Sequence, residues 1–221
     1  RSSGKTVLKL SEISKSFHDN KVLSNVSLSI NRGDKLIIIG PNGVGKSTLL
    51  KIILGKLESD SGEYEWGYET HISYFSQDHH DLLNENLSVL DWLTKESLNE
   101  TTAKIRNVLG QMLFRQDEVF KNILDLSGGE GARLLLAKIM LEQGNVLVLD
   151  EPTNHLDIEA KEALKKALKD YPGTLIMVTH DRDFAAAIAT RVIAITGKKI
   201  IDFKGSYKEY LDKHGKDYFR F

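Results

Sequence analysis

One eight-residue run constrains this chain more than any other: Gly40-Pro41-Asn42-Gly43-Val44-Gly45-Lys46-Ser47. Its glycines permit backbone turns that other residues rarely reach, so successive N–H groups can face one centre and form a concave anion site at a helix N-terminus. The pattern is that of a phosphate-binding loop, which requires a buried strand before it and a helix after it. Both are legible. Leu36 to Ile39 is an unbroken apolar run, as in a strand covered on both faces. Thr48 to Leu54 then has helical character, stopped near Gly55. Lys46 offers a point charge to the β and γ phosphates of a triphosphate, and the Ser47 hydroxyl is a hard oxygen ligand for Mg²⁺.

A second feature answers the first. Val146 to Leu149 reads as another buried strand, delivering Asp150 and Glu151 at its carboxyl end, where ligands sit in open α/β sheets. Asp150 can hold hydrated magnesium, and Glu151 is placed to polarise an attacking water. Alone, an apolar strand ending in two acids usually marks a solvated loop; a phosphate loop in the same chain tips the reading toward chemistry.

Around these two strands the pattern alternates. Val7 to Leu10, Val22 to Ile30, Tyr64 to Trp66 and His71 to Phe75 read as strands. Asp78 to Leu124 is polar and Asn-rich, with helical spacing in Val89, Leu90 and Leu93 and in Ile105, Val108 and Leu109, as in a small helical subdomain. Helices follow at about Gly129 to Gln143, Ile158 to Lys169, Phe184 to Ala189 and Tyr207 to Lys213, and strands at Thr174 to Val178, Val192 to Ile195 and Ile200 to Phe203. The expected fold is α/β: a mostly parallel core sheet, an antiparallel β subdomain and a small α-helical subdomain.

Composition narrows the chemistry. With 221 residues the chain suits one large α/β domain, and 30 basic against 31 acidic residues leave no overall charge to announce a nucleic-acid binder. The absence of cysteine excludes disulfides, thiolate zinc sites and thiol catalysis. No apolar run approaches the ~18 residues of a membrane span, and Arg1-Ser2-Ser3-Gly4 is not followed by a secretory apolar segment. A cytoplasmic protein without membrane insertion is expected. His71, His79 and His80 lack carboxylate or thiol partners at metal-ligand spacing and read as solvated loop residues.

Leu126-Ser127-Gly128-Gly129-Glu130, ahead of the Asp150 strand, resembles the signature motif of the ATP-binding cassette (ABC) superfamily. In isolation Ser-Gly-Gly would be a flexible helix N-cap. Following the phosphate loop and preceding Asp150-Glu151, the match implies a single ABC nucleotide-binding domain over residues 1–221. Its helical subdomain would fall at about 78–125, the rest of the catalytic core at 126–203 and the tail at 204–221. The resemblance implies an ATPase using Mg²⁺, in which Gly40, Pro41, Asn42, Gly43, Val44, Gly45, Lys46, Ser47 and Thr48 bind ATP. It places Phe17 against the adenine with Val22 nearby, although plain core is the competing reading of Phe17. Magnesium would be held by Ser47, Gln77 and Asp150, and catalysis would fall to Glu151, His180 and Lys46. Ser127, Gly128, Gly129 and Glu130 would face the γ-phosphate bound to an opposite cassette, with Asn154, His155 and Asp157 as the interface loop.

Three details resemble the ABC-F branch, soluble twin-cassette proteins that act on the ribosome: Asn154-His155 after Glu151-Pro152-Thr153, Glu130 closing the signature, and Phe203-Lys204-Gly205-Ser206-Tyr207-Lys208-Glu209-Tyr210. The stretch from Arg115 through Asp125, with the Asn-Gly-Val-Gly phosphate loop, is similar to a second cassette of that branch. This implies two partners: a second cassette, either the first cassette of the same full-length chain or a homodimer copy, and the ribosome with its rRNA and tRNA. Lys161, Lys165, Lys166 and Lys169 read most simply as a wet helix face, with rRNA phosphate contact as the other reading. The alternative function is the nucleotide-binding subunit of an ABC membrane transporter. Against it, Phe120-Lys121-Asn122-Ile123-Leu124 stands where such cassettes usually carry a Gly-rich segment with a glutamate.

Overall fold

The computed structural model describes residues 3–76, 82–196 and 199–215, which divide into two compact units. The first comprises Arg1–Ile72, Asn145–Asp150 and Pro172–Phe221; the second comprises Ser73–Gly144 and Glu151–Tyr171.

The first unit holds two sheets. β1 (Thr6–Phe17) and β2 (Asn20–Asn31) form a long antiparallel hairpin, and β4 (Ser61–Trp66) pairs with the other edge of β1. β1 runs well past the expected Leu10. Glu12 adopts a left-handed backbone (φ 54°) and the ladder to β2 shifts register between Leu10 and Ile13. Such a bulge interrupts the two-residue alternation without ending the strand, and the buried face resumes at Ile13.

The second sheet of this unit leads into the glycine-rich loop. β3 (Lys35–Ile39), β6 (Val146–Asp150), β7 (Thr174–Val178) and β8 (Arg191–Ile195) run parallel in the order β6-β7-β3-β8, and β9 (Ile200–Lys204) closes that edge antiparallel to β8. Leu36 to Ile39 are all buried, as expected of a strand covered on both faces. Leu8, Leu10, Leu28 and Ile30 of the antiparallel sheet meet Leu36, Ile38, Ile176 and Ile193 of the parallel one, with Leu49 and Ile53 of α1 (Lys46–Ile53) closing the core. Each such side chain stabilises the fold by roughly 1.5–3 kcal/mol of burial. α6 (Arg182–Ile188) and α7 (Tyr207–His214) complete the unit. α7 begins on a Ser206–Glu209 capping box, and its buried Tyr207 and Tyr210 stack with centroids 6.2 Å apart.

The chain enters the second unit within β5 (Ile72–Phe75). α2 (Val89–Glu96), α3 (Thr102–Gln111) and α4 (Gly128–Glu142) pack together through Trp92, Leu93, Ile105, Leu109, Leu134 and Leu135, all buried. Ser88, Thr101 and Ser127 cap the three N-termini with side-chain oxygens that accept from backbone N–H groups. α5 (Ile158–Asp170) buries Ala160, Leu164 and Leu168, and Lys166 and Lys169 are exposed.

Candidate functional site

β3 runs straight into the phosphate loop, and α1 begins at its end with Gly45 as N-cap. Gly45 has φ 100°, and a Cβ there would stand 2.6 Å from Val22 Cγ1. The loop is thereby drawn against β2 at Val22. Lys46 is buried, its Nζ donating to Gly40 O and Pro41 O at 2.8 Å each. The ammonium is therefore held across its own loop. Ser47 and Thr48 continue into the first turn of α1.

The strand order brings the remaining polar groups to the same sheet edge. Asp150 ends β6 and pairs in register with Val178, the last residue of β7. The Ser47 hydroxyl donates to Asp150 Oδ1 at 3.2 Å, joining two hard oxygen ligands of the kind Mg²⁺ takes. Asp150 is buried. A buried carboxylate beside a hydroxyl is a pair of hard oxygen donors, so the donor set fits magnesium. His180 lies two residues beyond β7, and the following Asp181 caps α6 by accepting from Phe184 N at 3.1 Å. Burial, and after it the charge of Lys46, hold the His180 imidazole below its ordinary value. The ring is neutral at pH 7, and Lys46 and His180 are electrostatic neighbours.

Phe17 ends β1 and is 43% exposed, so it is not a core residue. Lys15 Nζ lies 5.7 Å from its ring centroid and is itself paired with Asp60 at 2.8 Å.

The second unit resumes at Glu151, which is buried in a left-handed backbone conformation (φ 50°) and whose carbonyl accepts from Asn154 N at 3.1 Å. That turn leads through exposed Asn154 and His155 to Asp157, which caps α5 by accepting from Ala160 N at 2.8 Å. Asp157 thus has a helix-capping task. Across from it, Ser127 caps α4, accepting from Glu130 N, while Glu130 Oε2 accepts from Ser127 N at 2.7 Å. Gly129 lies so near the loop that a Cβ would stand 2.6 Å from His155 O. Ser127, Gly128, Gly129, His155 and Asp157 line a concavity of about 370 Å³, into which the N-termini of α4 and α5 converge. All of its lining belongs to the second unit. Helix N-termini carry partial positive charge, so the two that meet here favour an anion.

Two residues around this concavity carry no motif. Arg133 lines it, held by donating to Leu113 O at 3.1 Å and lying 5.1 Å from the Phe114 centroid. Lys121 donates to both Glu130 oxygens at 2.9 Å. The only signal for Arg133 was its place one helical turn beyond Gly129; Lys121 had none. Gln77, His79 and His80 lie outside the described residues.

A phosphate cradle at the carboxyl edge of a parallel sheet and a Ser-Gly-Gly helix N-terminus define a P-loop nucleotide-binding domain of cassette type. The chain matches the ABC transporter family over residues 23–154 and belongs to that family, whose ATP-binding domains are ATPases. It is 42% identical over 212 residues to the ATP-binding protein YbiT of Escherichia coli O157:H7, covering 96% of this chain and 40% of that one. It is 40% identical over 213 residues to ABC transporter F family member 5 of Arabidopsis thaliana, covering 96% and 31%. The chain therefore spans well under half the length of these relatives, which are of the ABC-F type. Its fold matches cbiO1 of Clostridium perfringens, part of the ABC transporter complex cbiONQ, with a TM-score of 0.76 at 26% identity over 95% of this chain and 92% of that one. Among the described residues, no helix is long and apolar enough to cross a membrane.

Proposed function

We propose that this chain binds Mg-ATP in its phosphate loop and hydrolyses it when a second cassette closes over the nucleotide, as the second-cassette half of a cytoplasmic ABC-F protein that acts on the ribosome. The observation that carries the two-cassette reading is the concavity at Ser127 to Gly129. It is built for an anion, yet its lining contains neither the loop lysine nor Asp150. An anion delivered on another cassette fits it.

In this reading Phe17 and Val22 take the adenine, and the N–H groups from Gly43 to Thr48 take the phosphates. Ser47, Gln77 and Asp150 would hold magnesium, which would supply charge neutralisation to the triphosphate. Lys46 draws negative charge toward the bridging oxygen that leaves. The Glu151 carboxylate accepts the proton of the attacking water as its oxygen bonds to γ-phosphorus in line with the breaking bond. His180, neutral for the reasons above, donates a hydrogen bond to a γ oxygen without adding charge. The opposite copy's Ser127, Gly128 and Gly129 then donate to the far side of the same group, with Asn154, His155 and Asp157 at the seam.

Glu151→Gln should lower turnover about 10² to 10⁴-fold while leaving ATP binding intact, and should trap ATP-loaded pairs. The decisive measurement is co-sedimentation of the full-length Glu151→Gln protein with ribosomes, with and without ATP. ATP-dependent pelleting with ribosomes is expected. In the alternative, a transporter subunit, the exposed Phe120 and Leu124 would seat on a membrane protein although their stretch departs from the transporter pattern, and the same material would instead fractionate with membranes.

A further inference from the structure

The signature concavity contains a difficulty. If it receives a triphosphate, the carboxylate of Glu130 stands in the first turn of α4, among the donors that must attract that anion. An acidic first turn stabilises the helix through the macrodipole, but it cancels part of the positive potential an incoming phosphate would meet. Glu130 is ionised at neutral pH. Burial opposes its charge most, yet hydrogen bonds from Lys121 and Ser127 together hold its carboxyl below the ordinary value.

The arrangement removes the difficulty. Lys121 Nζ donates to both Glu130 oxygens at 2.9 Å, and Glu130 Oε2 also accepts from Ser127 N at 2.7 Å. The carboxylate is thus turned back onto its own N-cap and matched by one opposite charge. Lys121 is positioned for this by its backbone. Its N–H donates to Glu118 O, and its carbonyl accepts from Val89 N, tying it to the first turn of α2. The Ser127 hydroxyl accepts from Glu130 N at 3.3 Å, closing the capping box on the same carboxylate.

We infer that Lys121 is a charge-compensating positioning residue: it lets Glu130 serve as the capping carboxylate of the signature without repelling the triphosphate presented by the opposite cassette. The inference rests on the proposed use of Ser127 to Gly129 in trans. Lys121 touches no substrate; it acts through Glu130.

The test compares ATPase kinetics of the full-length protein carrying Lys121→Met, Lys121→Arg, Glu130→Gln, or Lys121→Met with Glu130→Gln, beside Ser127→Arg, with the thermal midpoint of each recorded. Lys121→Met should lower kcat/KM about tenfold, the scale of losing a charge-assisted hydrogen bond. Lys121→Arg should stay near the parent. The double variant should return to the level of Glu130→Gln alone, because no charge is left to compensate. The Lys121→Met deficit should also shrink as salt rises from about 0.05 to 0.3 M, as screening requires. A purely architectural lysine would be rescued by neither the second substitution nor salt. If Lys121→Met folds poorly, Lys121→Gln and its pairing with Glu130→Gln carry the same comparison. A double variant as slow as the single lysine variant, or a salt-insensitive deficit, overturns the inference. Unchanged turnover in Ser127→Arg would instead bring down the trans reading itself.

Discussion

Gly45 meets two demands at once. Its φ of 100° is one that only glycine adopts without strain, and its missing Cβ makes room for Val22 Cγ1 and Leu23 Cδ2 at 2.6 and 2.9 Å. Gly43, with φ 77° and nothing within 4 Å, meets only the first. Gly45→Ala should therefore cost more stability than Gly43→Ala, about 1–3 kcal/mol against the lower end of that range, as read from urea midpoints. Equal midpoints would mean that β2 yields freely to the loop. The imidazole of His180 makes a different prediction. Burial, then the charge of Lys46, disfavours its protonated form, so folding favours the neutral ring. The associated stability is present above the ordinary histidine value of about 6.5 and is lost as pH falls through the lower folded value. NMR titration should find the His180 ring charging below that ordinary value. Lys46→Met should raise the midpoint only partway, because burial is the larger cause.

At the scale of elements, Arg191 at the start of β8 ties four segments. Its guanidinium donates to both Asp202 oxygens on β9 at 2.9 and 2.7 Å, to Asp34 Oδ2 before β3 at 2.7 Å, and to Ser29 O on β2 at 2.8 Å. Those hydrogen bonds keep it charged, and its side chain is 4% exposed. Arg191→Ala removes these charge-assisted hydrogen bonds from two partly exposed carboxylates and should destabilise the chain by about 1–3 kcal/mol; chemical denaturation would check this. None of this network was legible in sequence, where Arg191 is one arginine beside an apolar run. The strands β3, β6 and β7 were legible because burial on both faces writes itself as unbroken apolar residues. β1 was legible only to Leu10, since the bulge at Glu12 breaks the alternation. The same division holds at the site. Gly40 to Ser47 could be read as a phosphate loop because main-chain anion binding demands glycines at fixed spacing, Asp150 because it ends a buried strand, and Ser127 to Gly129 only through the family resemblance. Lys121 and Arg133 could not, because their partners are fixed by how helices approach, which no local pattern encodes.

The molecule as a whole carries a triphosphate cradle in one unit and an anion-seeking concavity in the other. Under the proposed pairing, each active site borrows its second half from another copy. Turnover per chain should then rise with chain concentration in the isolated domain, where no tethered partner raises the effective concentration. A sharper form of this prediction uses two silent variants. Lys46→Ala spoils a cradle and spares the signature; Ser127→Arg does the reverse. In a head-to-tail pair of the two, the cradle of Ser127→Arg meets the intact signature of Lys46→Ala, while the other composite site is doubly broken. Random association of equal amounts makes about half the pairs mixed, each with one sound site of two. The mixture should recover up to about a quarter of the parent rate. Activity no greater than the sum of the separate variants would mean that each copy completes its own site, since neither variant could then help the other.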